Sequence, residues 1–232
     1  MAHGPKGIAF REIIEKSSNI GTVKAALRLG QEKMYKYMKL FGFYDKTGID
    51  LPGEVAGINR PINGWSKVSM YAIPMGQEVT TTALQLACAI SVIADNGYRV
   101  RPRVVKEITD PAGKVIKEFP VNVPNRVIST DTVLKMRGVL QGVVDSGTGK
   151  KAKMEDYEAG GKTGTAQKVE QGLYSHNRFI GSFIGFAPVE KPILAVVICL
   201  DEPHPVYYGG DVAAPVFRNV VNDSLRYLSS KD

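Results

Sequence analysis

The stretch that most constrains this chain is Gly160–Gln167, which packs one cation, two hydroxyls and three glycines into eight residues. Two apolar runs follow it, Phe179–Pro188 and Ile193–Leu200. Short apolar runs bounded by turn residues predict three antiparallel strands, the first carrying the polar stretch. Side chains alternate along a strand, so Thr163 and Thr165 share one face, with Lys162 opposite them unless the strand twists or kinks. The glycines allow another chain's backbone to come close. A strand with backbone donors, hydroxyls and an ammonium group suits a peptide that ends in a carboxylate. Gly161-Lys162-Thr163 also matches the end of the phosphate loop G-x-x-x-x-G-K-[ST]. The loop's first glycine would fall at Asp156, whose charge repels phosphate. For Lys-Thr-Gly alone, a glycine-rich hairpin strand without chemistry is the plainer reading.

At 232 residues the chain suits one domain, or one domain with a small lobe. The formal charge is +7 and the pI about 9.3. The basic residues are spread out, and the nearest approach to a cluster, Lys150-Lys151-Ala152-Lys153, is too short to imply nucleic acid. Cys88 and Cys199 each lie in an apolar run and are expected to be buried and free. His3, His176 and His204 stand in different contexts, so neither a metal site nor a cofactor is expected. No stretch is apolar enough to span a membrane, and Met1–Pro5 looks like a cut rather than a natural beginning.

Along the chain, Phe10–Lys16 and Thr22–Leu29 carry helical patterns separated by Ser17-Ser18-Asn19. Capping is the plainer role for that bend. A further helix spans about Gln31–Phe41, where Met34, Tyr37, Met38 and Phe41 form a stripe expected to pack in the core. Asp45–Ile73 is rich in Gly, Pro, Asn and Asp and predicts a long surface excursion bordering a site. Thr82 and Gln85 fit a capping box for a helix reaching about Ala94. Residues 103–119 predict a peripheral hairpin around Asp110-Pro111-Ala112-Gly113. Ser129 caps a predicted helix over Thr132–Val144, with Leu134 among its apolar residues. A last helix, Ala213–Leu228, is expected to turn Val216, Val220, Leu225 and Leu228 inward.

Ser17-Ser18-Asn19 and Lys162-Thr163-Gly164-Thr165 match two of the three motifs of the penicillin-binding proteins. Thr80–Ala87, Ile93–Gly97, Phe183–Pro188 and Tyr208–Phe217 also resemble the class B enzymes, most of all the division- and sporulation-type transpeptidases. The resemblance covers essentially the whole chain in order. It implies the α+β fold of the serine β-lactamase and D,D-transpeptidase group, with three antiparallel strands late in the chain and helices on both sides. It implies that Ser17 relays a proton to the leaving amine, that Asn19 holds the substrate amide, and that Lys162 keeps this network polarised. Thr163 and Thr165 would bind the terminal carboxylate of a D-Ala-D-Ala stem peptide or of a β-lactam. The Thr165 N–H, beside Gly164, would supply half of the oxyanion hole, and Tyr208 and Gly209 would sit at the cleft rim.

One departure stands out. The family's nucleophile is the serine of a Ser-x-x-Lys motif, and no serine in this chain has lysine three positions later. The expectation is therefore residues 1–232 as the C-terminal portion of one transpeptidase domain, with the first strands and the nucleophile helix missing. Such a chain alone would be inactive and would not bind penicillin covalently. The parent would be anchored in the bacterial cytoplasmic membrane with this domain outside, and its partners would be the missing N-terminal segment and division or sporulation proteins. The alternatives are a non-catalytic module that binds stem peptide or a partner, and a carboxypeptidase or β-lactamase relative.

Overall fold

The structure is a computed structural model and describes residues 7–120, 125–170 and 172–231. Three helices come first: α1 (Phe10–Glu15), α2 (Asn19–Leu29) and α3 (Gln31–Leu40). Gly30, at φ +84°, both ends α2 and opens α3, a conformation that glycine adopts without a side-chain clash. The irregular excursion that follows contains the short α4 (Ser69–Ala72) and leads to α5 (Ala83–Ala94). Thr82 and Gln85 close the predicted capping box of α5. Next come the minor strands β1 (Tyr98–Arg99), β2 (Glu107–Thr109), β3 (Val115–Glu118) and β4 (Asn125–Arg126). β1 pairs with β4, and β2 with β3 as an exposed hairpin. The helix α6 (Thr130–Asp145) starts at a Ser129 cap. The chain then forms β5 (Gly160–Glu170), β6 (Leu173–Ala187), β7 (Leu194–Asp201) and α7 (Gly209–Ser229). The last three strands make one antiparallel sheet in the order β5-β6-β7, with β5 and β7 at its edges.

The sheet is covered on both faces, and alternation along β6 decides what each face carries. Phe183 points to one side, where it meets Phe217 of α7 at 4.7 Å between ring centroids. Ala213, Ala214, Val221 and Leu225 of α7 complete that layer. Phe186 points to the other side, against Ile90 of α5 and Leu140 of α6. Each buried ring contributes about 2 kcal/mol through removal of apolar surface from water. The glycines of β5 make room for these rings. A Cβ at Gly160 would lie 2.7 Å from Phe186, and one at Gly161 2.6 Å from Phe183. The space at Gly160 and Gly161 is thus taken by the chain's own aromatics and not left for an incoming backbone.

Several expectations are corrected. Cys88 is buried but Cys199 is exposed, because Cys199 faces away from the α7 layer near the end of an edge strand. The α7 face that packs is Ala213-Phe217-Val221-Leu225, so Val216, Val220 and Leu228 lie partly exposed beside it. A helix apolar on more than one side does not announce which side is covered. Leu134 of α6 is likewise exposed, and α3 buries no residue completely, with Tyr37 exposed. α7 begins at Gly209, four residues earlier than its apolar pattern indicates.

Two buried polar side chains hold the pieces together. Gln85 accepts from the Gly57 and Thr82 N–H groups and donates to the Gly42 and Asp45 carbonyls, tying the excursion to α5. Arg137 of α6 donates to the carbonyls of Ile93, Ala94 and Glu190 and to Asn96 Oδ1. It thereby satisfies acceptors at the C-terminal end of α5 that the helix itself cannot pair.

Candidate functional site

The site begins with a bend that glycines permit. α1 lies against α6 so closely that Glu15 Oε1 occupies the place of a Cβ at Gly142, and Arg11 donates to the Gly138 carbonyl at 2.7 Å. The chain then reverses. The Ser17 and Ser18 N–H groups donate to the Ile14 and Ile13 carbonyls, and Ser18 Oγ caps α2 by accepting from Gly21 N–H at 3.2 Å. Gly21 leaves room for Ile13, with a Cβ there only 2.7 Å from Ile13 Cγ1. Ser17 itself sits at φ +53°. A non-glycine residue in that left-handed region stores strain, and such strain concentrates at functional sites.

Across from this bend lies the start of β5. Lys162 Nζ donates to Ser17 Oγ at 2.9 Å, to the Thr163 carbonyl at 3.2 Å and to Thr163 Oγ1 at 3.3 Å. The ammonium group thus folds back to the neighbouring threonine, although strand alternation sets the two side chains on opposite faces. Among the described residues no carboxylate lies within ion-pair distance of it. Burial without a counter-ion lowers its pKa to about 8. A lysine so tuned exchanges a proton near neutral pH, as an acid–base group must.

Thr163 Oγ1 also shares a hydrogen bond with Thr148 Oγ1 at 3.0 Å. Thr148 is held in turn by its N–H, which donates to the Glu15 carbonyl at 3.2 Å. Farther along β5, Thr165 Oγ1 accepts from the N–H of Gly209, the first residue of α7, at 3.1 Å. Gly209 can come this close because a Cβ there would lie 2.2 Å from the carbonyls of Gly164 and Ser182. Gly164 in turn lies against Ser182 Oγ, 2.4 Å from where its Cβ would be. Tyr208 is exposed beside Tyr207, which stacks on Phe179 with centroids 4.0 Å apart.

The structure therefore gathers Ser17, Lys162 and Thr163 at one point and joins Thr165 to Gly209. Asn19, the first residue of α2, is exposed at the same bend and makes no side-chain hydrogen bond to any of them. Nothing in the sequence singles out Thr148. A threonine between two glycines after a helix looks like any turn, and only the fold brings it to Thr163.

A model of the penicillin binding protein transpeptidase domain matches residues 2–222. The chain belongs to the penicillin-binding protein transpeptidase family. It is 43% identical over 225 residues to stage V sporulation protein D of Bacillus subtilis, covering 96% of this chain and 35% of that protein. It is 35% identical over 232 residues to penicillin-binding protein PbpB of Mycolicibacterium smegmatis, covering 95% and 36%. Penicillin-binding protein 3 of Mycobacterium tuberculosis, solved in complex with aztreonam and with ampicillin, matches at TM-score 0.91 and 34% identity. That match covers 99% of this chain and 53% of the solved one. The transpeptidase relatives thus extend well beyond this sequence, which spans about a third of the curated proteins and half of the solved structure. The α+β architecture of this chain, with its three late antiparallel strands, is the fold that this structural match covers.

Proposed function

We propose that this chain is the C-terminal part of a peptidoglycan D,D-transpeptidase domain whose nucleophilic serine and lysine lie on a segment outside this sequence. That serine hydroxyl attacks the carbonyl between the two D-alanines, and its oxygen forms an ester as the terminal D-alanine leaves. Ser17, kept in exchange with Lys162, passes the proton to the departing amine. An amine of a second stem peptide then attacks the ester and restores the serine. Thr163 and Thr165 bind the terminal carboxylate, the Thr165 N–H stabilises the oxyanion, and Asn19 holds the substrate amide. Tyr208 and Gly209 border the cleft. β5 offers an unpaired strand edge, along which a peptide can add as a further strand. β-Lactams occupy the same groove.

The observation that carries this reading is the 2.9 Å contact between Lys162 Nζ and Ser17 Oγ, 145 residues apart in sequence, by a lysine with no described counter-ion. A second observation supports the absent segment. The chain exposes 14442 Å², whereas a compact monomer of its 25.3 kDa mass exposes about 10,300 Å². Part of that surface is apolar, including Val216, Val220, Tyr227 and Leu228 on α7. No described helix is long and apolar enough to cross a membrane. We assign the anchor to the parent protein and the domain to the outer side of the cytoplasmic membrane, where division or sporulation proteins would meet it.

A fluorescent penicillin tests the proposal. The 232-residue chain should take up no label that survives denaturation, and the full-length product of its gene should be labelled on a serine of a Ser-x-x-Lys motif. A denaturation-resistant adduct on the chain alone, or a full-length product that stays unlabelled, would refute it.

A further inference from the structure

Outside the acyl-transfer site, a groove of about 610 Å³ opens between α3 and the β1–β4 pair. It shares no lining residue with Ser17, Lys162, Thr163 or Thr165, so nothing in it depends on the proposed function. Lys33, Lys36 and Lys39 line one wall and Arg99 and Arg126 the other, against a single carboxylate, Glu32. None of these five cations belongs to an ion pair among the described residues, although twelve such pairs form elsewhere. Successive lysines lie about 4.5 Å apart along the helix axis, the axial spacing of charges three residues apart on a helical peptide.

The floor has a different character. Leu40 is 37% exposed and presents apolar surface beside Tyr35 and Val127. Tyr35 is fixed from behind, edge-on to Tyr44 at 5.0 Å and to Trp65 at 6.0 Å. The groove therefore exists before anything binds, which spares a ligand the cost of ordering it. One of the two arginines is partly engaged. Arg126 donates to Thr130 Oγ1 at 2.8 Å and lies over the Tyr98 ring, and the Arg99 guanidinium covers Gly42. Planar guanidinium forks are the groups that clamp phosphate in two-point fashion, whereas lysine ammonium groups act as point charges. With three lysine point charges on one wall and an apolar floor, the groove suits carboxylates carried beside hydrophobic side chains more than a phosphate polymer.

We propose that this groove is a docking site for an acidic, amphipathic peptide segment of a partner protein, with its carboxylates on the lysine wall and an apolar side chain on Leu40. The stripe expected to pack in the core, Met34, Tyr37 and Met38, is instead only partly covered, and α3 spends its outer face on this groove.

The test uses the full-length product of the gene and a fluorescein-labelled Glu/Leu peptide. Binding should weaken about tenfold or more in Lys36→Glu/Lys39→Glu and several-fold between low and moderate salt. Leu40→Ser should weaken it without changing the salt dependence. A Lys150→Glu/Lys151→Glu variant, remote in sequence and with the same charge change, should bind as the parent does. Thermal melts establish that the variants fold. Absence of peptide binding, equal loss in the Lys150/Lys151 variant, or equally tight and equally lysine-dependent binding of polyphosphate or anionic vesicles would overturn the proposal.

Discussion

Lys162 and Lys168 stand six residues apart on the same strand, and the fold treats them in opposite ways. Lys168 donates to Asp201 Oδ1 at 2.9 Å and to Glu202 Oε1 at 2.6 Å. These partners raise its pKa, the hydrogen bond to Glu202 first. Glu202 is shared with Arg178, so that end of β5 is a network of compensated charges near solvent. Lys162 has hydroxyls and a carbonyl for partners, no described carboxylate, and a pKa brought down to about 8 by burial. A compensated charge has little reason to change its protonation state, and an uncompensated, largely desolvated one does. One strand thus carries a charge-compensated lysine at one end and an uncompensated one at the other.

The sharpest way to break this contrast is to remove each amine in the full-length protein. Lys162→Met should slow acylation by a fluorescent penicillin by about a hundredfold or more, the range of a lost acid–base group. Equal losses from Lys162→Met and Lys168→Met would mean that both lysines act through the strand and not through chemistry. Next in size, Gly209→Ala should destabilise the protein by about 2 kcal/mol or more in chemical denaturation, since its Cβ meets two backbone carbonyls. Thr165→Val should reduce acylation by β-lactams that carry a carboxylate by about tenfold or more, the worth of a hydrogen bond to a charged group. Thr148→Val, which removes the partner of Thr163 Oγ1, should cost about fivefold in the same assay.

The titration of Lys162 sharpens the comparison further. Acylation plotted against pH should inflect near 8 and lose that inflection in Lys162→Arg. Stability carries a definite sign as well. Below pH 8 both folded and unfolded chains hold the proton, and the folded state bears the cost of a buried charge. Between about 8 and the ordinary lysine value the unfolded chain binds more protons, so the wild type gains stability relative to Lys162→Met as pH rises. Lys168 works in reverse, its contribution being present at neutral pH and lost as pH rises from the ordinary lysine value through its raised pKa. The smallest effect belongs to Lys168→Ala, which should leave acylation and the thermal midpoint close to wild type, because ion pairs this near the surface add little.

Local chemistry was legible where local forces decide. Thr82 and Gln85 formed the capping box, and Ser129 capped α6 where the sequence predicted it. The order of strands around Gly160–Gln167 followed from apolar runs and turns, and the family followed from motif residues in their order. The buried faces were less legible. α7 carries valines on two sides, and the choice of Phe217, Val221 and Leu225 over Val216 and Val220 is made by the sheet it lies on. Cys199 gave no sign of exposure, because an apolar run does not say that its strand is an edge. Arg137 and Gln85 were invisible as staples, since their acceptors come from segments up to 53 residues distant.

By itself, then, the sequence determined the elements, their caps and the residue types available for chemistry, all of which depend on neighbours a few positions apart. Only the tertiary structure decided that Lys162 would meet Ser17, that Thr148 would reach Thr163, and that α7 would begin against Thr165. Those contacts cross 145, 15 and 44 residues. They depend on close approaches at Gly142 and Gly209 that have physical meaning only once two surfaces are pressed together.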